Sequence, residues 1–288
     1  MEGEDGGSED PRSFDRAAWW KRLIILVAGA AMNFIVGVLL MVLIYLPVSE
    51  TVVPVIDSFE WYSTVDGERG LRVGDRILEV DGEKIYVHSN FSLLLQLNEG
   101  KYHDLVVERD GKRVELDHFL MEKHEVTDEN GNRVKLYGLN FTLEKLDFGG
   151  KLHNAWMESL DCVRLVRLSL RMLLSGQAGI QDMSGPVGIV SMMSDVADAS
   201  STRLDALLNL LYFGGFIAIN LAVMNLLPIP ALDGGRMVGV VITTCAERIT
   251  GKKINPRYEG YLHGAGMILL LALMAVIMFK DIIFLFKG

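Results

Sequence analysis

Three long apolar runs punctuate the chain. The first covers residues 23–46; the second starts near residue 204 and meets no charge between Asp205 and Asp233; the third starts at residue 262 and stays uncharged as far as Lys280. Each has the length and apolarity of a membrane-spanning helix. The first carries small residues at Gly29, Ala30, Ala31 and Gly37, which suits close helix packing in lipid, and Asn33 is its only strongly polar side chain. The pattern predicts spans at 23–46, 204–228 and 262–286.

Between the first two spans the period changes. Residues 50–122 read as a small α+β domain, with a strand at 52–56, a helix near 90–97 and a hairpin around Asp110-Gly111. Residues 123–203 read as an extracytoplasmic linker. It holds a second hairpin at Asn130-Gly131 and an amphipathic helix over 154–174, where Arg164, Arg167 and Arg171 alternate with leucines. That helix either lies on the membrane surface or packs on the preceding domain. The fold class expected is an α-helical polytopic membrane protein with three transmembrane helices and one inserted α+β domain.

Charge then orients the chain. Residues 1–22 open with an acidic head that has no apolar periodicity and no signal-peptide character, and end with Arg12, Arg16, Lys21 and Arg22. Arg236, Arg248, Lys252, Lys253 and Arg257 fill the loop at 229–261. Positive flanks at both places predict a cytoplasmic N-terminus and loop, with the inserted domain extracytoplasmic. The formal net charge is -9 and no basic patch stands out, so nucleic acid is not an expected partner. Cys162 and Cys245 are the only cysteines and lie far apart, which suggests neither a disulfide framework nor a thiolate metal site.

Candidate chemistry gathers at the end of the second span, in Asn225-Leu-Leu-Pro-Ile-Pro-Ala-Leu-Asp-Gly-Gly235. Pro228 and Pro230 lack backbone donors, so the helix must open there. Opened backbone at membrane depth requires burial in protein or a wet cavity. Asp233 beside it is either a functional carboxylate or the cap of a helix starting at Gly234.

Asn225, Pro228, Pro230, Leu232, Asp233 and Gly234 match the Asn-x-x-Pro-x-Pro-x-Leu-Asp-Gly signature of the site-2 proteases. These are intramembrane zinc metalloproteases that include the bacterial regulator-of-sigma-E proteases. Gly29 and Asn33 match a Gly-Pro-x-x-Asn segment of the family's second spanning helix, with Ala30 in place of the proline. Ser184-Gly-Pro-Val-Gly-Ile189 resembles a segment found just before the family's third span. Gly70, Leu71, Gly74, Asp75 and Ile77, within Gly-Leu-x-x-Gly-Asp-x-Ile-x-x-Val-Asp-Gly, are similar to the core of PDZ domains, which add extended peptides to a sheet edge.

The resemblance implies peptide-bond hydrolysis within the bilayer, on single-span membrane proteins such as anti-sigma factors or signal-peptide remnants. It makes Asp233 a ligand to Zn2+, gives Asn225, Pro228 and Pro230 to the substrate backbone, and gives peptide termini to the PDZ-like domain. The family's other ligands and its catalytic Glu come from a His-Glu-x-x-His, which occurs nowhere in the sequence. His124-Glu125 is followed by Asp128 and reads as strand. In the family, an acidic segment like Asp10-Pro-Arg-Ser-Phe14 follows the first helix, so the sequence reads as lacking that helix and as inactive alone. Two other readings are a membrane-tethered PDZ protein without enzymatic activity and a transporter fragment with a broken helix. The latter expects an inverted repeat of the Pro-containing span, and none is seen.

Overall fold

The computed structural model describes residues 17–60, 70–98, 100–127, 133–177, 179, 185–198, 200, 202–251 and 257–287. The acidic head, the Asn130-Gly131 turn, Ser184 and Lys252-Lys253 lie outside the described residues. In chain order the elements are α1 (Trp19–Tyr45), β1 (Glu50–Phe59), β2 (Arg76–Val80), β3 (Glu83–Lys84), α2 (Ser89–Leu97), β4 (Tyr102–Arg109), β5 (Lys112–Leu120), β6 (His124–Thr127), β7 (Arg133–Leu136), β8 (Leu139–Lys145), α3 (Phe148–Ser175), α4 (Pro186–Asp198), α5 (Arg203–Asn225), α6 (Asp233–Thr250) and α7 (Arg257–Lys287). They form two units: Met1–Ile44 with Cys162–Gly288, and Tyr45–Asp161.

The first unit is helical. Among the described residues three helices are long and apolar enough to cross a membrane: Trp19–Tyr45, Arg203–Asn225 and, within α7, Gly260–Ile283. These agree with the three runs read from sequence. Their outward faces are apolar, as Ile24, Leu39, Ile268 and Leu269 show, which suits lipid rather than water as the surrounding solvent. Leu26, Ala30, Gly37 and Met41 form the buried stripe of α1. At Gly37 a Cβ would stand 2.5 Å from Ile219 Cγ1 and 3.1 Å from the Gly215 carbonyl, so α1 and α5 meet backbone to backbone. Ala31 points outward instead.

The end of α3 from Cys162 and two further whole helices, α4 and α6, belong to this unit. α4 packs against α5 and α7, and its start is held by Asp281 of α7, which accepts hydrogen bonds from the Gly185 and Gly188 amides, both at 2.9 Å. Asp281 is 6% exposed, so it is a buried tie between helices. α6 occupies the stretch expected as a loop over 229–261. It is amphipathic and ends at Gly251, whose φ of 67° closes the helix while its amide donates to the Glu247 carbonyl at 2.9 Å.

The second unit is built on an antiparallel sheet of order β5-β4-β2-β1-β8, with β3 paired to β2. Asp110 and Gly111 take φ of 52° and 71°, the geometry of a tight two-residue hairpin turn, and they join β4 to β5 as the sequence predicts. β6 and β7 form a separate two-stranded ladder. α2 buries Asn90, Phe91, Leu94 and Leu95, one helical face, against Ile56, Ile77, Val80, Leu105 and Val107 of the sheet.

The sheet extends beyond the residues 50–122 read from sequence. β8 pairs with β1 from Glu50↔Lys145 to Phe59↔Leu139, so a strand from the expected linker completes it. The first part of α3 also belongs here. Asp161 is 3% exposed and accepts from Asn90 Nδ2 at 2.7 Å, while Asn90 Oδ1 accepts from the Tyr86 and Val87 amides at 2.9 and 3.0 Å. Of the two sequence readings for this helix, packing on the domain describes residues 148–161.

Candidate active site

The site starts where α5 stops. Asn225 is the last residue of α5, and the Leu226 and Leu227 amides turn back to Val223 and Met224 carbonyls at 3.1 and 3.0 Å. The Leu232 amide donates to the Ile229 carbonyl at 3.1 Å, closing a four-residue turn with Pro230 second and Ala231 third. Proline supplies the φ its position needs, but the third position of such a turn takes positive φ and usually falls to glycine. Ala231 sits there at φ 85°, a conformation that costs an alanine about 1 kcal/mol or more.

That strained turn is clamped from three sides. Its Ala231 amide donates to His263 Nδ1 of α7 at 3.1 Å. The proton of the neutral imidazole is then on Nε2. At Gly266, one turn along α7 from His263, a Cβ would stand 2.6 Å from Pro230 backbone atoms. A Cβ on Gly235 would stand 2.7 Å from the Ile229 carbonyl carbon, and one on Gly234 would collide with the Leu226 and Leu227 carbonyl oxygens. The glycines that follow Asp233 thus let the start of α6 touch the end of α5 with no side chain between.

Asp233 is the first residue of α6. Leu232 is the cap, no side-chain capping bond is made, and no described residue hydrogen-bonds the Asp233 carboxylate. It is half-buried, and a Cβ on Gly29 would stand 3.8 Å from its Oδ2. Asn33 lies one turn beyond Gly29 on α1, half-buried and without a hydrogen bond to any described residue. Pro228 and Pro230 are exposed and Asn225 is half-buried. The structure therefore brings Asp233, Gly29 and the Asn225–Gly235 turn together. The sequence marks His263 as a histidine at the end of a span, a place more often structural, which fits its bond to the Ala231 amide; Gly266, more than 30 residues away on another helix, carries no such signal.

The donor set does not fit a complete zinc site. Among the described residues no three His, Cys, Asp or Glu side chains gather to hold a metal. A catalytic zinc takes three protein ligands and keeps one position open, and Asp233 alone falls short of that.

The residues resembling a PDZ core have structural tasks. Asp75 is 1% exposed and receives Arg109 Nε on Oδ1 at 2.8 Å, with Arg109 Nη2 at 2.7 Å and the Arg72 amide at 2.8 Å on Oδ2. Arg109 Nη2 also donates to the Gly70 carbonyl. The hydrogen bonds to Asp75 hold the Arg109 guanidinium still more firmly protonated than usual, against the opposing effect of its burial. Leu71 and Ile77 are core residues, and Gly74 takes φ of 90°. β8 is one of the two edge strands of the sheet among the described residues, and its Phe141 packs edge-on against His88 and Phe91 at the start of α2, with centroids 4.5 and 5.4 Å apart.

The sequence pattern of Peptidase family M50 matches residues 2–273. A protein of Clostridium acetobutylicum, provisionally named a zinc metalloprotease, is 30% identical over 99% of this chain and 79% of its own length. The regulator of sigma-W protease RasP of Bacillus subtilis is 33% identical over 94% of the chain and 61% of its own length. The zinc metalloprotease RasP of Bacillus licheniformis is 32% identical over the same 94% and 61%. The chain thus spans about four fifths of the first relative and about three fifths of the other two.

Proposed function

The chain belongs to Peptidase family M50, the site-2 proteases, and from that premise we propose that it serves as an intramembrane zinc metalloprotease acting on single-span membrane proteins. The observation that carries the reading is the uncapped carboxylate of Asp233 at the end of an opened membrane helix, with Gly29 against it and a braced turn behind it. A buried structural acid is satisfied by hydrogen bonds; one left without them beside small residues is suited to a cation. Asp233 would be one ligand. The two histidines and the water-activating glutamate of such a site are not among these 288 residues, so the polypeptide alone neither holds the ion nor hydrolyses peptides. Asn225, Pro228 and Pro230, at the mouth of the turn, would hold substrate backbone.

The sheet unit would be PDZ-like and extracytoplasmic, with the cationic stretch after Asp233 in the cytoplasm. What supports peptide binding there is the edge strand β8 beside α2, which offers main-chain groups to an added strand. Expression in a bacterial strain without its own site-2 protease tests the reading. The chain joined to a helix bearing His-Glu-x-x-His should restore cleavage of a single-span reporter, and the chain alone should not. Failure of the joined form, made at normal level, favours the non-enzymatic tether.

A further inference from the structure

A cavity of about 620 Å³ lies in the sheet unit, where Glu144 is the one residue of β8 that lines it, and no step of the proposed hydrolysis uses it. β1 forms one of its walls through residues 51–54. On one side β1 is laddered to β8 as far as Val52 and again from Ile56. On the other side its ladder to β2 is a single pair, Val55 with Arg76. Beyond that pair β2 takes β3 as its neighbour, and the Ile85 amide donates to the Leu78 carbonyl at 2.8 Å. β1 therefore splays away, and on the side turned from β8 residues 51–54 face the 85–89 connection across a wedge with no strand between them among the described residues. Main-chain groups along such an edge need partners, and Pro54, which has no donor, ends the run.

The remaining walls define the occupant. Tyr45, the last residue of α1, lines the cavity and donates to Glu158 Oε2 at 3.2 Å, so the wedge begins where the first span ends. Arg76 is opposed by Glu144 and Glu158, and burial pushes the pKa of His88 down toward the neutral imidazole. That balance does not attract an anion such as an acidic lipid headgroup. It suits an uncharged extended main chain. Four residues of strand extend about 13 Å, and a pocket of this volume lies in the range that binds small ligands.

We propose that this wedge binds an extended internal peptide segment, which adds as a strand to residues 51–53 of β1. The occupant expected is the stretch of a membrane-anchored protein just outside its span. That identity rests on the protease reading above; the binding itself does not, and it would survive the loss of any metal role for Asp233.

The test uses the whole chain in phosphatidylcholine nanodiscs, with hydrogen–deuterium exchange read by mass spectrometry. The probe is a blocked peptide, Ac-Thr-Val-Ser-Val-Thr-Tyr-NH2, which has no free terminus to suit the β8 edge. Amides of residues 51–53 that turn away from β8 should exchange about tenfold more slowly with the probe. The same peptide N-methylated at alternate residues should give no protection. Met157→Trp, which fills the cavity from α3, should remove the effect; Asn154→Trp serves if that variant does not fold. Protection confined to 139–145 would overturn the proposal by moving the peptide to the β8 edge. So would equal protection by the N-methylated peptide, or none. Protection of 51–53 by phosphatidylglycerol nanodiscs without peptide would assign the wedge to lipid instead.

Discussion

Gly29 of α1 faces the carboxylate of Asp233 at the start of α6: a Cβ on the glycine would stand 3.8 Å from Oδ2. Residues 204 positions apart in sequence therefore share one site. Cysteines at 29 and 233 should form a disulfide under mild oxidation, since a Cβ at 29 lies in contact with the end of the residue-233 side chain. A pair at 29 and 241 should not. Non-reducing gels read the result; failure of the first pair alone would remove Gly29 from the site.

Ala231 stores strain that its clamp offsets. Ala231→Gly should raise thermal stability by about 1 kcal/mol or less, because glycine takes φ of 85° without steric cost. Gly266→Ala should lower it by about 2 kcal/mol, near the cost of overpacking, because its Cβ would stand 2.6 Å from Pro230. Melting of the purified protein in detergent checks both signs.

The sheet unit should fold alone as residues 45–161 but not as residues 50–122, which lack β8 and the α3 segment that pairs Asp161 with Asn90. Circular dichroism with urea titration of both fragments decides. In the longer fragment Arg109→Met should destabilise by about 3 kcal/mol, because a buried carboxylate is left without its partner.

The β2–β3 turn should lend the same fragment a pH dependence. Burial pushes the Asp81 carboxyl up, but hydrogen bonds from His103, Asn98 and the Asp104 amide outweigh it and hold the group below its ordinary value of 3.8. A depressed carboxyl stabilises the fold above its unfolded pKa. That stability is lost as pH falls through 3.8 toward the folded value. Asp81→Asn should flatten the acid limb of the stability profile, and an unchanged limb would show that the hydrogen bonds contribute nothing.

Much of this was legible in the sequence because it is local. Spans follow from apolar length, the β4–β5 hairpin from Asp110-Gly111, and the opened helix from Pro228 and Pro230. The features that escaped depend on distant partners. β8 joins β1 across some 80 residues, and its own stretch reads as a linker. α6 follows two glycines that look like breakers, yet those glycines permit contact with the α5 end. His263 gains its meaning only from the Ala231 amide, and Asp281 only from the start of α4.

Whether Asp233 is a metal ligand is answered most directly by zinc stoichiometry. The chain joined to a His-Glu-x-x-His helix, purified and analysed by inductively coupled plasma mass spectrometry, should carry one zinc per molecule. Asp233→Ala and Asp233→Asn should both lose it at unchanged protein level, since asparagine keeps the shape but not the charge that holds the cation. An Asp233→Asn protein that keeps its full zinc content would contradict the assignment.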